Sequence, residues 1–226
     1  NQNKFYMSEN DYDFNEVIHA TLLNPYLSKE TFHNNCELIM KYNIRNISTS
    51  LNFLKYLKDS INYKNCKINA LISYPLADMP SKFLSEIVNY AKEFGANGIE
   101  FLPRFFYLSD SKEEDFASEI EILIQSGLPI TLIFNYLRID NEILSKAINI
   151  CLEMGIVNFQ FGDGFGPYMN KNDINQIIKL IGDKSKLKIS GGIKHLDQVI
   201  EILNYGASSI GTSDFHIIFK DLKSLS

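Results

Sequence analysis

The sequence has no apolar run long enough to span a bilayer. Its first residues, "NQNKFYM", lack the charged, apolar, small-residue order of a secretion signal. It also has no basic run and no basic helix face. Twenty-two basic residues stand against 27 acidic ones, a net charge of −5. Nucleic-acid binders carry a basic patch, so that class is set aside, as is a membrane protein. Cysteine is scarce. Cys36, Cys66 and Cys151 are far apart, odd in number, and without metal or redox spacing. They fit the reduced, buried thiols of a cytoplasmic protein. The reading therefore calls for no metal ligands and no cofactor. No linker, low-complexity segment or long charge block divides the chain. The expectation is one domain over 1–226, with 1–10 a flexible end.

What the sequence has instead is alternation. Of its 226 residues, 45% are apolar and 22% charged, enough for one sizeable core. Short strand-like runs cover 17–23, 44–50, 67–75, 98–103, 130–135, 157–163, 187–192 and 208–213. Between them lie stretches with a 3.6-residue apolar period, such as "SKFLSEIVNYAKEFG" and "DNEILSKAINICLEMG". Several begin at a capping residue followed by an acid, as at Ser28 with Glu30 and Asp140 with Glu142. Several end on a glycine: Gly95, Gly127, Gly155 and Gly206. Eight strands alternating with helices predict a parallel sheet, and closure of that sheet gives a (β/α)8 TIM barrel. An open doubly wound sheet would carry a glycine-rich turn after its first strand. Here the glycines gather after strands six, seven and eight.

Side chains alternate between the two faces of a strand. In strand six, Phe159 and Phe161 share the face that suits packing on helices, and Asn158 and Gln160 share the other. Strand seven sets Lys188 and Ser190 against Leu187 and Ile189, and strand four sets Glu100 against Ile99 and Phe101. In strand one, His19 and Thr21 oppose Ile18, Ala20 and Leu22. With Ser48 from strand two and Asn135 from strand five, the upper barrel interior is expected to hold Lys188, Glu100, Gln160, His19, Asn135 and Ser48. Barrels filled for stability carry mostly Val, Ile and Leu there. Buried polar groups cost free energy unless they satisfy one another, so such a cluster points to a site. A structural ion pair between Lys188 and Glu100, and a hydrogen-bonded His19, are the plainer alternatives.

The second feature is a trio of loops: "GDGFG" (162–166), "SGGIK" (190–194) and "GTSD" (211–214). Glycine loops that follow late barrel strands and open helices present backbone N–H groups to an anion. Gly164, Gly191, Gly192, Lys194, Gly211 and Ser213 are the residues expected around a phosphate. Asp214 is the discordant member, because a carboxylate aimed into the site would repel an anion. It is expected to cap the final helix instead.

Taken together, "LKISGGIKHLDQVIEILNYGASSIGTS" (187–213), "ATLLNP" (20–25), "ISYPLADMPSKFLSEIVNYAKEFGANGIEFLPR" (72–104) and "CLEMGIVNFQFGDGFG" (151–166) resemble the deoxyribose-phosphate aldolases. These are class I barrel aldolases, and the resemblance is most specific at the C-terminal end. It implies a strand-six lysine that forms a Schiff base with the substrate aldehyde. It also implies a strand-seven lysine that tunes the first, and a strand-four aspartate that relays protons. Lys188 matches the strand-seven lysine, and Glu100 stands at the aspartate. Gln160 falls where the imine-forming lysine should be, and an amide cannot form an imine. His19 and Phe134 replace acids common on strands one and five, and Ser48 replaces a frequent cysteine.

Three readings follow for a small phosphorylated ligand. Lys188 supplies the amine of a surviving lyase; or Glu100, His19 and Lys188 run acid–base chemistry without an imine; or the barrel binds its ligand without turnover. A homo-oligomer is compatible with each.

Overall fold

The structure is a computed structural model that describes residues 12–61 and 65–224. The flexible end expected for residues 1–10 lies outside the described residues. Eight parallel strands close into a barrel in sequence order. They are β1 (Ile18–Leu22), β2 (Asn46–Ser50), β3 (Lys67–Ile72), β4 (Gly98–Phe101), β5 (Ile130–Phe134), β6 (Asn158–Phe161), β7 (Lys186–Ser190) and β8 (Ser209–Thr212). Closure is completed by β1 pairing with β8, Ile18 beside Ile210. The helices are α1 (Phe14–Val17), α2 (Lys29–Lys41), α3 (Leu51–Ser60), α4 (Leu84–Glu93) and α5 (Phe106–Ser109). They continue with α6 (Glu113–Gln125), α7 (Asn141–Glu153), α8 (Lys171–Ile181), α9 (Leu196–Asn204) and α10 (Phe215–Ser224). The expected (β/α)8 barrel is therefore the fold. Helix α3, with Leu54 and Leu57 buried, adds to the helices read from the periodicity.

Local chemistry explains the punctuation. The Ser28 hydroxyl accepts from Thr31 N (3.1 Å), Asp140 Oδ1 from Glu142 N (2.8 Å) and Asn170 Oδ1 from Asp173 N (3.0 Å). Each satisfies an amide that has no partner within the helix. The four glycines expected at helix ends follow α4, α6, α7 and α9. Apolar stripes do the docking: Ile174, Ile177 and Ile181 along α8, and Leu196, Val199, Ile202 and Leu203 along α9.

The outward faces of the strands receive those stripes. Ile18, Ala20, Ile99, Phe159, Phe161 and Ile189 are all fully buried. The densest part is aromatic. Phe134 stacks on Phe161 with ring centroids 5.0 Å apart, and lies 5.3 Å from Phe105 and 5.9 Å from Phe159. Phe134 sits in register with Phe161, so it faces the helices and not the lumen. This places the apolar load outside the sheet and leaves the lumen available to polar side chains. Phe134→Ala should cost about 3–5 kcal/mol, the usual range for emptying a buried phenylalanine site. Urea unfolding would measure it, and a loss under about 1 kcal/mol would mean that the aromatic layer does not hold the barrel.

Candidate functional site

The strand register brings the inward polar residues together. Gln160 on β6 lies directly beside Lys188 on β7, so their side chains leave the sheet on the same face. Lys188 crosses the lumen to the opposite wall. Its Nζ is 3.2 Å from both carboxylate oxygens of Glu100 on β4, and donates to the Ser48 hydroxyl on β2 at 2.8 Å. Ser48 in turn donates to Glu100 Oε1. Glu100, Ser48, Gln160 and Lys188 are all buried. A protonated Nζ held in such a pair has no lone pair to offer a carbonyl.

Two glycines make this arrangement possible. A Cβ on Gly211 would lie 2.9 Å from Lys188 Cε and 2.5 Å from Ser190 Oγ, so β8 leaves room for the lysine stem to pass. Gly162, with φ of +87°, would place a Cβ 1.9 Å from the carbonyl oxygen of Ser190. The chain leaving β6 thus turns hard against the end of β7, in a conformation that only glycine tolerates there.

Above this floor opens a cavity of about 740 Å³ at the C-terminal mouth of the barrel. Its wall includes Ser48, Glu100, Gln160 and Lys188, and also Gly164, Gly191, Gly192, Lys194, Gly211 and Ser213. The three glycine loops therefore converge, as the sequence predicts. The loop after β7 is held by α9: Gln198 Oε1 accepts from Lys194 N (2.8 Å) and His195 N (3.1 Å), while its Nε2 donates to Gly192 O (3.2 Å). Asp214 also lines the cavity. Its carbonyl accepts from Ile217 N and Ile218 N at the start of α10, and its own amide donates to Thr212 Oγ1.

Two residues sit lower or higher than expected. His19 is not on the cavity wall; the β1 residue there is Thr21, one inward position further up. Burial, followed by the charges of Lys188 and Lys67, pushes the His19 imidazole well below its ordinary value. Its Nδ1 is buried without a hydrogen-bond partner. Asn135 lies past the end of β5, where its carbonyl accepts from Arg138 N in a 3-10 turn. The β5 residue level with Gln160 is Ile133, fully buried. Neither His19 nor Asn135 belongs to the cavity wall.

The sequence reading missed Tyr74 and Asp163. Tyr74 donates its hydroxyl to the carbonyl oxygen of Asp163 and stacks on Phe165, with centroids 6.1 Å apart. Burial raises its pKa, and the nearby carboxylates of Asp163 and Glu100 raise it further. Asp163 is only 2% exposed, accepts from Phe165 N at 2.9 Å, and lies 3.3 Å from Arg138 Nη1. Both residues line the cavity. The signal for Asp163 was its place inside the "GDGFG" loop. No local pattern marks Tyr74, whose role comes from a contact 89 positions away.

The fold and the position of this cavity define a (β/α)8 barrel with a candidate site at its C-terminal mouth. No family model matches the chain. It is 26% identical over 207 residues to the deoxyribose-phosphate aldolase of Dictyoglomus turgidum, covering 90% of this chain and 94% of that one. It is 26% identical over 203 residues to the deoxyribose-phosphate aldolase of Thermococcus kodakarensis, covering 87% and 91%. Among solved structures, "QR15, an Aldolase" superimposes with a TM-score of 0.86 at 21% identity, covering 94% of this chain and 96% of that one. The tetrameric deoxyribose phosphate aldolase from Aeropyrum pernix gives a TM-score of 0.80 at 20% identity, covering 93% and 91%. Orotidine 5'-phosphate decarboxylase from Pyrococcus horikoshii gives a TM-score of 0.62 at 14% identity, covering 87% and 88%. At these identities the solved structures speak for the fold alone.

The buried His19 sets an acid limit on stability. Its folded value is depressed below 6.5, so as pH falls through about 6.5 the unfolded chain takes up a proton that the folded chain refuses. Stability should therefore decline below about pH 6.5, with this residue contributing a slope of at most about 1.4 kcal/mol per pH unit. Urea unfolding across this range should show a shallower decline for His19→Asn than for the native chain. Identical declines would mean that His19 is not held neutral by burial.

Proposed function

We propose that the chain takes a small phosphorylated sugar or aldehyde into the mouth of the barrel as a divergent deoxyribose-phosphate-aldolase-like protein. Its carbon–carbon chemistry is impaired or altered because Gln160 stands in the place of the imine-forming lysine. The observation that carries this reading is the register pair of Gln160 and Lys188 on the floor of one cavity with the three glycine loops. The phosphate end sits against Gly191, Gly192, Gly211 and Ser213, with Lys194 adding charge and Gly164 closing the third side. The carbon chain points down to Lys188 and Glu100. No cofactor is required.

Without an imine, retro-aldol cleavage would run through an enolate. Glu100 takes the proton of the hydroxyl next to the breaking carbon–carbon bond. The electron pair of that bond moves onto the carbonyl oxygen, where the Lys188 ammonium stabilises the charge, and the enolate carbon then takes back the proton held by Glu100. An enolate is a poorer electron sink than an imine, so turnover is slow. Binding without turnover is the second reading. The closed ion pair favours it, because each of the two groups already engages the other. The free, buried state of Cys36, Cys66 and Cys151 supports a cytoplasmic location. No helix among the described residues is long and apolar enough to cross a membrane. A homo-oligomer remains part of the reading.

Borohydride reduction in the presence of deoxyribose 5-phosphate, followed by mass spectrometry, should leave the native chain without a covalent adduct. Cleavage should fall far below the ordinary enzyme range of about 1–10³ per second. An adduct on Lys188, abolished in Lys188→Ala, would overturn the reading. Gln160→Lys should gain the adduct, because the neighbouring Lys188 charge favours the neutral amine at position 160. A folded Gln160→Lys variant that traps nothing would show that more than one residue separates this site from imine chemistry.

The anion site is tested separately. Deoxyribose 5-phosphate and inorganic phosphate at millimolar concentration should both raise the melting temperature by mass action. No shift with either would remove the phosphate from the proposal.

A further inference from the structure

The Gln160 amide is satisfied at one end only. Its Nε2 donates to Gly162 O at 3.1 Å, within the turn that leaves β6. That bond fixes the orientation of the amide and leaves the carbonyl end facing away from it. Oε1 is buried and has no hydrogen-bond partner. Gln160 is 4% exposed and lies on the cavity wall. An unpaired buried acceptor is costly, so a ligand that supplies a donor here gains what the empty site forgoes. The register neighbour Lys188 is already engaged across the lumen with Ser48 and Glu100, so the unpaired acceptor of Gln160 is left for a ligand.

A ligand group that pairs with Gln160 Oε1 must donate a hydrogen bond. A hydroxyl does so. A carbonyl oxygen only accepts, and its lone pairs would face those of the amide oxygen. A site that hydrogen-bonds a ligand hydroxyl also discriminates strongly against an analogue that lacks it. We infer that the floor of the cavity selects its ligand as an alcohol or as the hemiacetal ring form of a sugar, against the free carbonyl form. The inference rests on the reading that the phosphate of the ligand occupies the three glycine loops. Gln160 thereby becomes a specificity-determining residue and not merely a lost nucleophile.

A matched set of ligands separates the two claims. Hexyl phosphate carries the anion and the chain alone. The ketone 5-oxohexyl phosphate and the alcohol 5-hydroxyhexyl phosphate differ at one oxygen, and a ketone stays largely unhydrated in water. Calorimetry with the native chain should show the alcohol binding about tenfold or more tighter than the ketone, the worth of one well-placed hydrogen bond to a buried group. In Gln160→Met, of similar size and without the acceptor, that preference should fall below about threefold. Equal binding of ketone and alcohol by the native chain would overturn the inference, whether or not Gln160→Met folds. So would an undiminished preference in a folded Gln160→Met. If hexyl phosphate binds but the hydroxyl adds nothing, the anion site stands and the inference falls. If none of the three ligands binds at millimolar concentration, both fall together.

Discussion

The ion pair that crosses the barrel lumen, Lys188 to Glu100, is the constraint on which the rest of the site depends. Each charge is withdrawn from water, at a cost of several kcal/mol per ion. The cost is offset by paired geometry: Nζ is 3.2 Å from each carboxylate oxygen, with the Ser48 hydroxyl 2.8 Å from Nζ as a third partner. The three strands that carry this triad are not all neighbours, so the triad needs a closed barrel to exist. The closed barrel in turn needs its apolar residues on the outer faces, where Phe134, Phe159 and Phe161 stack under the helices. Gly211 admits the lysine stem, and Gly162 lets the chain after β6 turn away before it meets β7.

The same pair governs its surroundings. The Lys188 charge adds to burial in holding His19 neutral below the cavity. The Glu100 carboxylate adds to burial and Asp163 in holding the Tyr74 phenol protonated above it. In the resemblance that first suggested a function, a lysine at strand seven acts on another lysine at strand six. Here it faces an amide, and its own partner is a carboxylate. In the proposed reading the loops hold a phosphate while the imine-forming amine is replaced by Gln160. That replacement is what would set this chain apart from the relatives named deoxyribose-phosphate aldolase. A shared barrel does not close the gap, since orotidine 5'-phosphate decarboxylase from Pyrococcus horikoshii also superimposes on it.

Much of this was legible in the sequence because alternation within a strand has a strict period of two. That period groups Lys188, Glu100, Ser48 and Gln160 on the polar faces of their strands, and closure of the barrel makes those faces the lumen. It does not assign height. Strands in a barrel are tilted and staggered, so two inward residues on different strands can sit in different layers. His19 and Asn135 were misplaced for that reason: the first belongs below the cavity and the second beyond the end of β5. Tyr74 was invisible for another reason, since its hydroxyl bond to Asp163 joins loops after strands three and six. Gln198 is a helix residue that reaches back to the loop after β7, a contact that no local pattern marks.

The central claim is that Lys188 remains a paired ammonium and that the ligand is held without a covalent bond. A crystal structure of the native chain soaked with deoxyribose 5-phosphate at neutral pH tests it most directly. The expected result has the Lys188–Glu100 pair intact. The phosphate lies among the loops at Gly191, Gly192 and Ser213, and a ligand hydroxyl comes within hydrogen-bond distance of Gln160 Oε1. Continuous electron density joining Lys188 Nζ to a ligand carbon, with Glu100 displaced, would contradict the account.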